Sequence, residues 1–119
     1  MLLSKNRFHG RKTILGMYSH AEIIRAKEIQ LRYKPKHNKE NYKTAVVVSK
    51  KVAKLAVVRN RIRRRIFEWI RLNIPEDYNY DIMITVFEAG LATTPPNQIS
   101  TLLEKTFSKV KNPPAPREK

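Results

Sequence analysis

The chain has 119 residues, of which 41% are hydrophobic, which is enough for one domain with a single core. It has no cysteine, which excludes a disulfide scaffold, a thiol nucleophile and cysteine-based zinc or iron–sulfur sites. Lys and Arg number 25 against 10 Asp and Glu, giving a formal net charge of +15 at pH 7. A small domain this basic is expected to bind a polyanion, with nucleic acid ahead of an anionic membrane surface.

Membrane insertion and secretion are not expected. No apolar run approaches the roughly 20 residues that a helix needs to cross a bilayer. The first residues, MLLSKNRFHGRK, lack the apolar region of a secretory signal. No segment pairs a wide apolar face with a lysine-rich one, as peripheral membrane helices do. We therefore expect a cytoplasmic protein with no membrane partner, and nothing indicates an obligate protein partner.

The N-terminal half is predicted to hold a short helix and two strands. Residues 1–10 form a polar, basic arm, and apolar residues at helical spacing predict the helix over 11–20. Alternating apolar and polar residues predict a strand over 28–34, and three valines in 42–49 predict a second strand buried on both faces. The connecting turn is short, so we expect these strands to pair as an antiparallel hairpin.

The C-terminal half contains the strongest helix prediction, over 57–73. The apolar residues of that segment recur at steps of three or four, namely Val58, Ile62, Ile66, Trp69 and Ile70. A long apolar run predicts a central strand over 80–88, followed by a loop over 89–96. A last helix is predicted over 98–110, with Asn97 as its N-cap.

This element order predicts an α+β fold. Three helices pack on a small mixed sheet of three to four strands, as an α/β sandwich. One domain is expected over 1–110, and the residues KNPPAPREK at 111–119 are expected to form a disordered tail.

Side chains suited to catalysis are scattered along the sequence. The histidines lie far from one another and pair with no acid at ligand spacing: His9, His20 and His37. Glu76, Asp77 and Asp81 surround a strand start, where they form either a magnesium site or a turn and cap cluster. The three glycines are too dispersed for a phosphate-binding loop. We therefore expect no catalytic residue and no metal ligand in the polypeptide.

The stretch between Glu40 and Glu68 contains no acidic residue. Its basic residues are Lys43, Lys50, Lys51, Lys54, Arg59, Arg61, Arg63, Arg64 and Arg65. Like charges three or four apart on a helix each cost a few tenths of a kcal/mol, on the order of 0.2–0.5. A merely solvated helix does not explain such repulsion, whereas bound phosphates relieve it. Arginine, which predominates here, also suits bidentate phosphate contacts.

The faces of this helix follow from 100° per residue. With Ile62 at the centre of the buried face, Asn60, Arg64 and Arg71 point away from it. On that geometry Arg61 and Arg63 occupy the two sides, while Arg59 and Arg65 border the apolar stripe. Phe67 falls on the polar side, where it either stacks on a base or packs under a loop.

Two runs carry a family resemblance. Ser-Lys-Lys at 49–51, followed by A-V-V-R-N-R-I-R-R at 56–64, closely resembles the signature of the bacterial ribonuclease P protein family. That signature reads S-K-K, a short spacer, then A-V-x-R-N-R-I-K/R-R. The resemblance extends from about residue 6 to residue 110 and includes the element order.

The resemblance implies an α/β sandwich with a left-handed βαβ crossover before the last strand. It implies that the helix over 57–73 binds a catalytic RNA. That RNA carries out the cleavage with Mg, which is held mainly by the RNA. It also implies a cleft, between the sheet and the first helix, for the 5′ leader of precursor tRNA. The implied RNA-binding residues are Lys50, Lys51, Arg59, Asn60, Arg61, Arg63 and Arg64. The implied cleft residues are Ile14, Tyr18 and Arg32.

Two alternatives use the same basic surface. One is a ribosomal or ribosome-assembly protein that binds RNA. The other is a DNA-binding regulator with 57–73 as its recognition helix, although no preceding helix and tight turn are predicted.

Overall fold

The structure, a computed structural model, describes residues 21–35, 42–75 and 78–110. Its strands are β1 (Glu22–Arg25), β2 (Ile29–Pro35), β3 (Thr44–Val48) and β4 (Tyr80–Val86). Its α-helices are α1 (Ala56–Asn73) and α2 (Pro96–Phe107), and a short 3-10 helix, Ala89–Ala92, lies between β4 and α2. The α+β class and the mixed sheet are confirmed. The predicted arm, the first helix and the C-terminal tail lie outside the described residues.

Strand β4 is central, as its unbroken apolar run predicts. The sheet order is β1-β2-β4-β3, so β4 pairs with a neighbour on each side. Ile82, Met83 and Ile84 are all fully buried, which shows that both faces of β4 are covered. Burial on both faces explains why the run does not alternate between apolar and polar residues.

The predicted hairpin is wrong. Strand β2 pairs antiparallel with β4, whereas β3 pairs parallel with β4 on its other side. Helix α1 is the connection between the parallel strands β3 and β4. Val46 and Val48 are buried on the helix-covered face and Val47 is half buried on the other, so the strand has no polar face, as is typical of a strand in a parallel pair.

Strand β1 was not predicted from the sequence. It has four residues, all but one of them exposed, and it pairs with β2 at the edge of the sheet. The register places Glu22 opposite Tyr33, and the Tyr33 hydroxyl donates to Glu22 Oε2 at 2.9 Å. Such a short edge strand has no buried face to impose a period-2 pattern.

Both described helices pack on one face of the sheet. Leu31, Val46 and Ile84 belong to the same core cluster as Ile66 of α1 and Leu103 of α2. The opposite face carries a smaller apolar cluster around Ala45 and Met83. Neither described helix is long and apolar enough to cross a membrane.

Helix α2 begins earlier than the sequence predicts. Its N-cap is Pro95 rather than Asn97, and no side chain makes a capping hydrogen bond there. Pro96 stands at the first helical position, where a missing N–H costs nothing and the fixed φ is already helical. The helix ends at Phe107.

A buried carboxylate joins β4 to the residue before β3. Asp81 is 4% exposed, and its Oδ1 accepts the backbone N–H of Lys43 at 2.7 Å. It therefore has a structural role, which agrees with the cap interpretation of its acidic cluster. Glu76 and Asp77 lie outside the described residues.

Thr44, the first residue of β3, is 1% exposed, and its Oγ1 has no hydrogen-bond partner within the part of the chain that the structure describes. We expect Thr44→Val to raise the free energy of unfolding by about 1 kcal/mol, because valine has the same shape without a buried hydroxyl. Urea unfolding measures the change. Thr101→Val, on an exposed site of α2, should give no such gain, and a less stable Thr44→Val protein would contradict the expectation.

Candidate nucleic-acid interface

The segment before α1 is a turn that exposes lysines. The carbonyl of Ser49 accepts the N–H groups of Val52 and Ala53, both at 3.1 Å. This places the exposed Lys50 and Lys51 at the apex of the turn. The turn follows β3 directly, so the end of the sheet fixes where the backbone of these two lysines lies.

Helix α1 is turned about its axis relative to the prediction. Ile66, Phe67 and Ile70 are buried together with Ile62, so the buried face is centred nearer Ile66 and Ile70 than Ile62. At 100° per residue this is a rotation of roughly 60°. Phe67 is therefore 5% exposed and belongs to the hydrophobic core, which excludes its stacking on a base in this conformation.

The rotation decides which basic side chains face solvent. Arg61 and Arg64 are exposed, and neither has an ion pair or a hydrogen bond to another described residue. Asn60 is exposed too, but Arg63 is half buried and donates to its Oδ1. Arg61 and Arg64 are thus the two arginines of the signature whose guanidinium groups are accessible to an anion.

Arg59 has a second role. Its Nη1 donates to the carbonyls of Ala53 and Lys54, each at 2.8 Å. The guanidinium therefore ties the first turn of α1 to the end of the lysine-bearing turn. It retains a partly exposed surface, so it both shapes the interface and contributes charge to it.

We expect Arg59→Ala to loosen this connection. Loss of charged hydrogen bonds worth about 1–1.5 kcal/mol should speed amide exchange at Val52 and Ala53 by about tenfold. Hydrogen exchange followed by NMR measures it. Arg61→Ala is the control, since Arg61 has no such bonds. Unchanged exchange in Arg59→Ala would show that the turn is stable without the hydrogen bonds of Arg59.

The remaining arginines of α1 are engaged by the protein. Arg65 donates through Nη1 to the Leu91 carbonyl at 2.7 Å, and through Nη2 to the Thr94 carbonyl. Arg71 forms an ion pair with Glu68, which holds the pKa of that carboxyl well below its ordinary value. Arg65 and Arg71 are therefore bound by other groups of the protein, in contrast to the exposed pair Arg61 and Arg64.

The described residues contain no group of three or more His, Cys, Asp or Glu side chains placed to hold a metal ion. The strand and turn that lead into α1 are also unlike a helix-turn-helix, which needs a helix in that place, so the structure does not favour the DNA-binding alternative.

Comparison with known proteins identifies the family. The family model described as Ribonuclease P matches residues 2–111, nearly the whole chain. The chain belongs to the ribonuclease P protein family. This membership does not favour the ribosomal alternative.

Individual relatives agree with the family. The chain is 34% identical over 102 residues to the ribonuclease P protein component of Ureaplasma parvum serovar 3, covering 82% of this chain and 88% of that one. It is 42% identical over 53 residues to the component from Prochlorococcus marinus AS9601, covering 44% of this chain and 41% of that protein. The RNase P protein of Staphylococcus aureus has the same fold, with a TM-score of 0.73 at 21% identity, over 90% of this chain and 98% of that one.

Of the three residues that the family resemblance assigns to the cleft, Arg32 alone lies within the described residues. Arg32 is half buried on β2, in register with Ile23 of β1 and Met83 of β4. It lies on the sheet face opposite to the two described helices, and its assignment to the cleft stays a prediction. Ile14 and Tyr18 lie outside the described residues, so their place in the cleft stays a prediction.

Proposed function

We propose that this chain is the protein subunit of a ribonuclease P, which promotes cleavage of precursor tRNA at its mature 5′ end. The observation that carries the proposal is the exposed pair Arg61 and Arg64, together with the exposed Lys50 and Lys51 in the turn that leads into the same helix, on a chain of this family. The partners are a catalytic RNA and precursor tRNA, and the place of action is the cytoplasm.

The proposed mechanism is electrostatic and positional. Arg61 and Arg64 project from a helix that packs on the core, so binding to phosphates orders their side chains but needs no rearrangement of the backbone. Lys50 and Lys51 extend the same positive surface to the end of the sheet. Neutralising RNA phosphates in this way releases counterions, which supplies affinity that falls with salt.

The chemical step belongs to the RNA in this proposal. The Mg that the reaction uses is held mainly by the RNA, and the protein contributes no metal ligand and no catalytic group. The opposite face of the sheet, with Arg32, guides the single-stranded leader, so that the scissile bond is presented to the RNA. The family fold also implies that the β3-α1-β4 crossover is left-handed.

Reconstitution tests the proposal. The purified chain is mixed with a bacterial ribonuclease P RNA and a precursor tRNA that carries a 5′ leader, and the cleavage rate is followed as Mg is lowered. We expect the chain to raise the rate at low Mg and to reduce the Mg requirement. The same RNA without the chain is the control, and unchanged rate and Mg requirement would refute the proposal.

A further inference from the structure

A groove of about 330 Å³ lies between the outer side of α1 and the first turn of α2. Its lining residues are Arg64, Arg65, Glu68, Trp69, Pro96 and Ile99. Most of the exposed lining is apolar, and it includes the indole of Trp69 and the ring of Pro96. The volume is at the lower end of the range for ligand pockets, so the groove suits a small planar group.

Trp69 is held in a fixed orientation at this groove. Its Nε1–H donates to Ser100 Oγ at 3.1 Å, and the Ser100 hydroxyl donates to Glu104 Oε1 at 3.3 Å. The indole also contacts the Phe107 ring, at 5.5 Å between centroids with an interplanar angle of 31°. The ring remains partly exposed, so an aromatic surface is preorganised beside solvent.

The charges around the groove favour an anionic occupant. Arg65 already donates to the carbonyls of Leu91 and Thr94, and Glu68 is paired with Arg71. Arg64 is exposed and has no ion pair with another described residue. The groove therefore combines an apolar, aromatic floor with one available guanidinium at its rim.

We propose that this groove binds one unpaired nucleotide of an RNA strand, with its base against Trp69 and its phosphate on Arg64. The inference rests on the proposed RNA-binding function and adds a base-binding site to it. A nucleotide in a single strand or a loop offers both an apolar face and an adjacent negative charge. A double helix does not, because its bases are stacked inside. An apolar protein segment would leave the charge of Arg64 buried without a partner.

The test uses the intrinsic fluorescence of Trp69, the only tryptophan of the chain. The full chain is titrated with a short oligoadenylate and with an abasic oligonucleotide of the same length, which has the phosphates but no bases. We expect both to bind, as followed by anisotropy of a terminal dye. Only the oligoadenylate should quench Trp69, and it should bind about tenfold more tightly, since stacking adds to affinity for each base.

The outcomes separate the two proposals. If both oligonucleotides bind equally and neither quenches Trp69, the groove does not hold a base, while RNA binding by the chain stands. If neither binds, the proposed RNA-binding function itself fails. Quenching by the oligoadenylate alone supports the site.

A pair of variants locates the base. Pro96→Glu places a carboxylate in the groove at the first turn of α2, where an acidic residue is compatible with the helix dipole. Thr101→Glu makes the same charge change on an exposed site of that helix outside the groove. We expect Pro96→Glu to abolish quenching and to weaken oligoadenylate binding about tenfold relative to Thr101→Glu. Equal quenching and affinity in both variants would overturn the site.

Discussion

Replacing Arg61 and Arg64 together by alanine is expected to weaken binding of the catalytic RNA by about a hundredfold, with almost no change in the free energy of unfolding. Both side chains are exposed on α1 and have no ion pair with another described residue, so the described part of the protein loses no ion pair when they are removed. The RNA loses two charge-assisted contacts, together worth about 3 kcal/mol.

The salt dependence shows whether the lost contacts are phosphate contacts. The slope of log affinity against log salt should fall by about 2 in the double variant, because each lost phosphate contact removes roughly one counterion. Filter binding between about 50 and 200 mM salt measures it.

The control for this prediction removes the same charge elsewhere. Lys105→Ala with Lys109→Ala lowers the net charge equally, from exposed sites at the end of α2 and just after it. That control should bind RNA nearly as well as the unaltered chain. Equal losses in the two double variants would mean that net charge, and not the arginine pair, sets the affinity.

Phe67→Ala is expected to lower the free energy of unfolding by about 3–4 kcal/mol. Phe67 is 5% exposed in the core cluster, so truncation leaves a cavity as well as losing apolar burial. Urea unfolding followed by circular dichroism measures the change. Such a loss is a large part of the stability of a small domain, so the variant should also melt at a much lower temperature.

Two further variants show that burial is the cause. Phe67→Leu keeps most of the apolar volume, so this variant should retain RNA affinity. If Phe67 stacked on a base, the same substitution would lower RNA affinity. Leu72→Ala, at a site that is 51% exposed on the same helix, should cost less than about 0.5 kcal/mol. If the Phe67→Ala protein were as stable as the unaltered chain but bound RNA more weakly, Phe67 would have to contact RNA and not the core.

The strongest periodic segments were predictable from the sequence. α1 and β4 appeared at nearly their observed bounds, because each must bury many apolar side chains and therefore carries a strong pattern. The pairing of β3 was not predictable from its turn, because the parallel partner lies beyond a helix. β1 gave no signal, since an exposed edge strand needs no pattern.

The basic surface was predictable as a surface but not residue by residue. The signature contains exposed, hydrogen-bonded and half-buried arginines that look alike in the sequence. Arg59 lies at the start of the buried face and Arg65 lies beside Ile62 at its edge, so their guanidinium groups reach main-chain carbonyls outside the helix. The centre of the buried face is set by Phe67 and Ile70 as well as by Ile62. A helix geometry centred on Ile62 alone therefore predicted the wrong centre.

The connection between β3 and β4 runs through α1, so the helix that we propose to bind RNA also joins two neighbouring strands of the sheet. Separating these strands requires displacing the helix from its place over them. A polynucleotide that grips the outside of α1 therefore resists unfolding of the whole sheet, with a gain of about 2.7 kcal/mol when its free concentration is a hundredfold above its Kd. On the proposed function, binding of RNA would therefore raise the free energy of unfolding of the polypeptide.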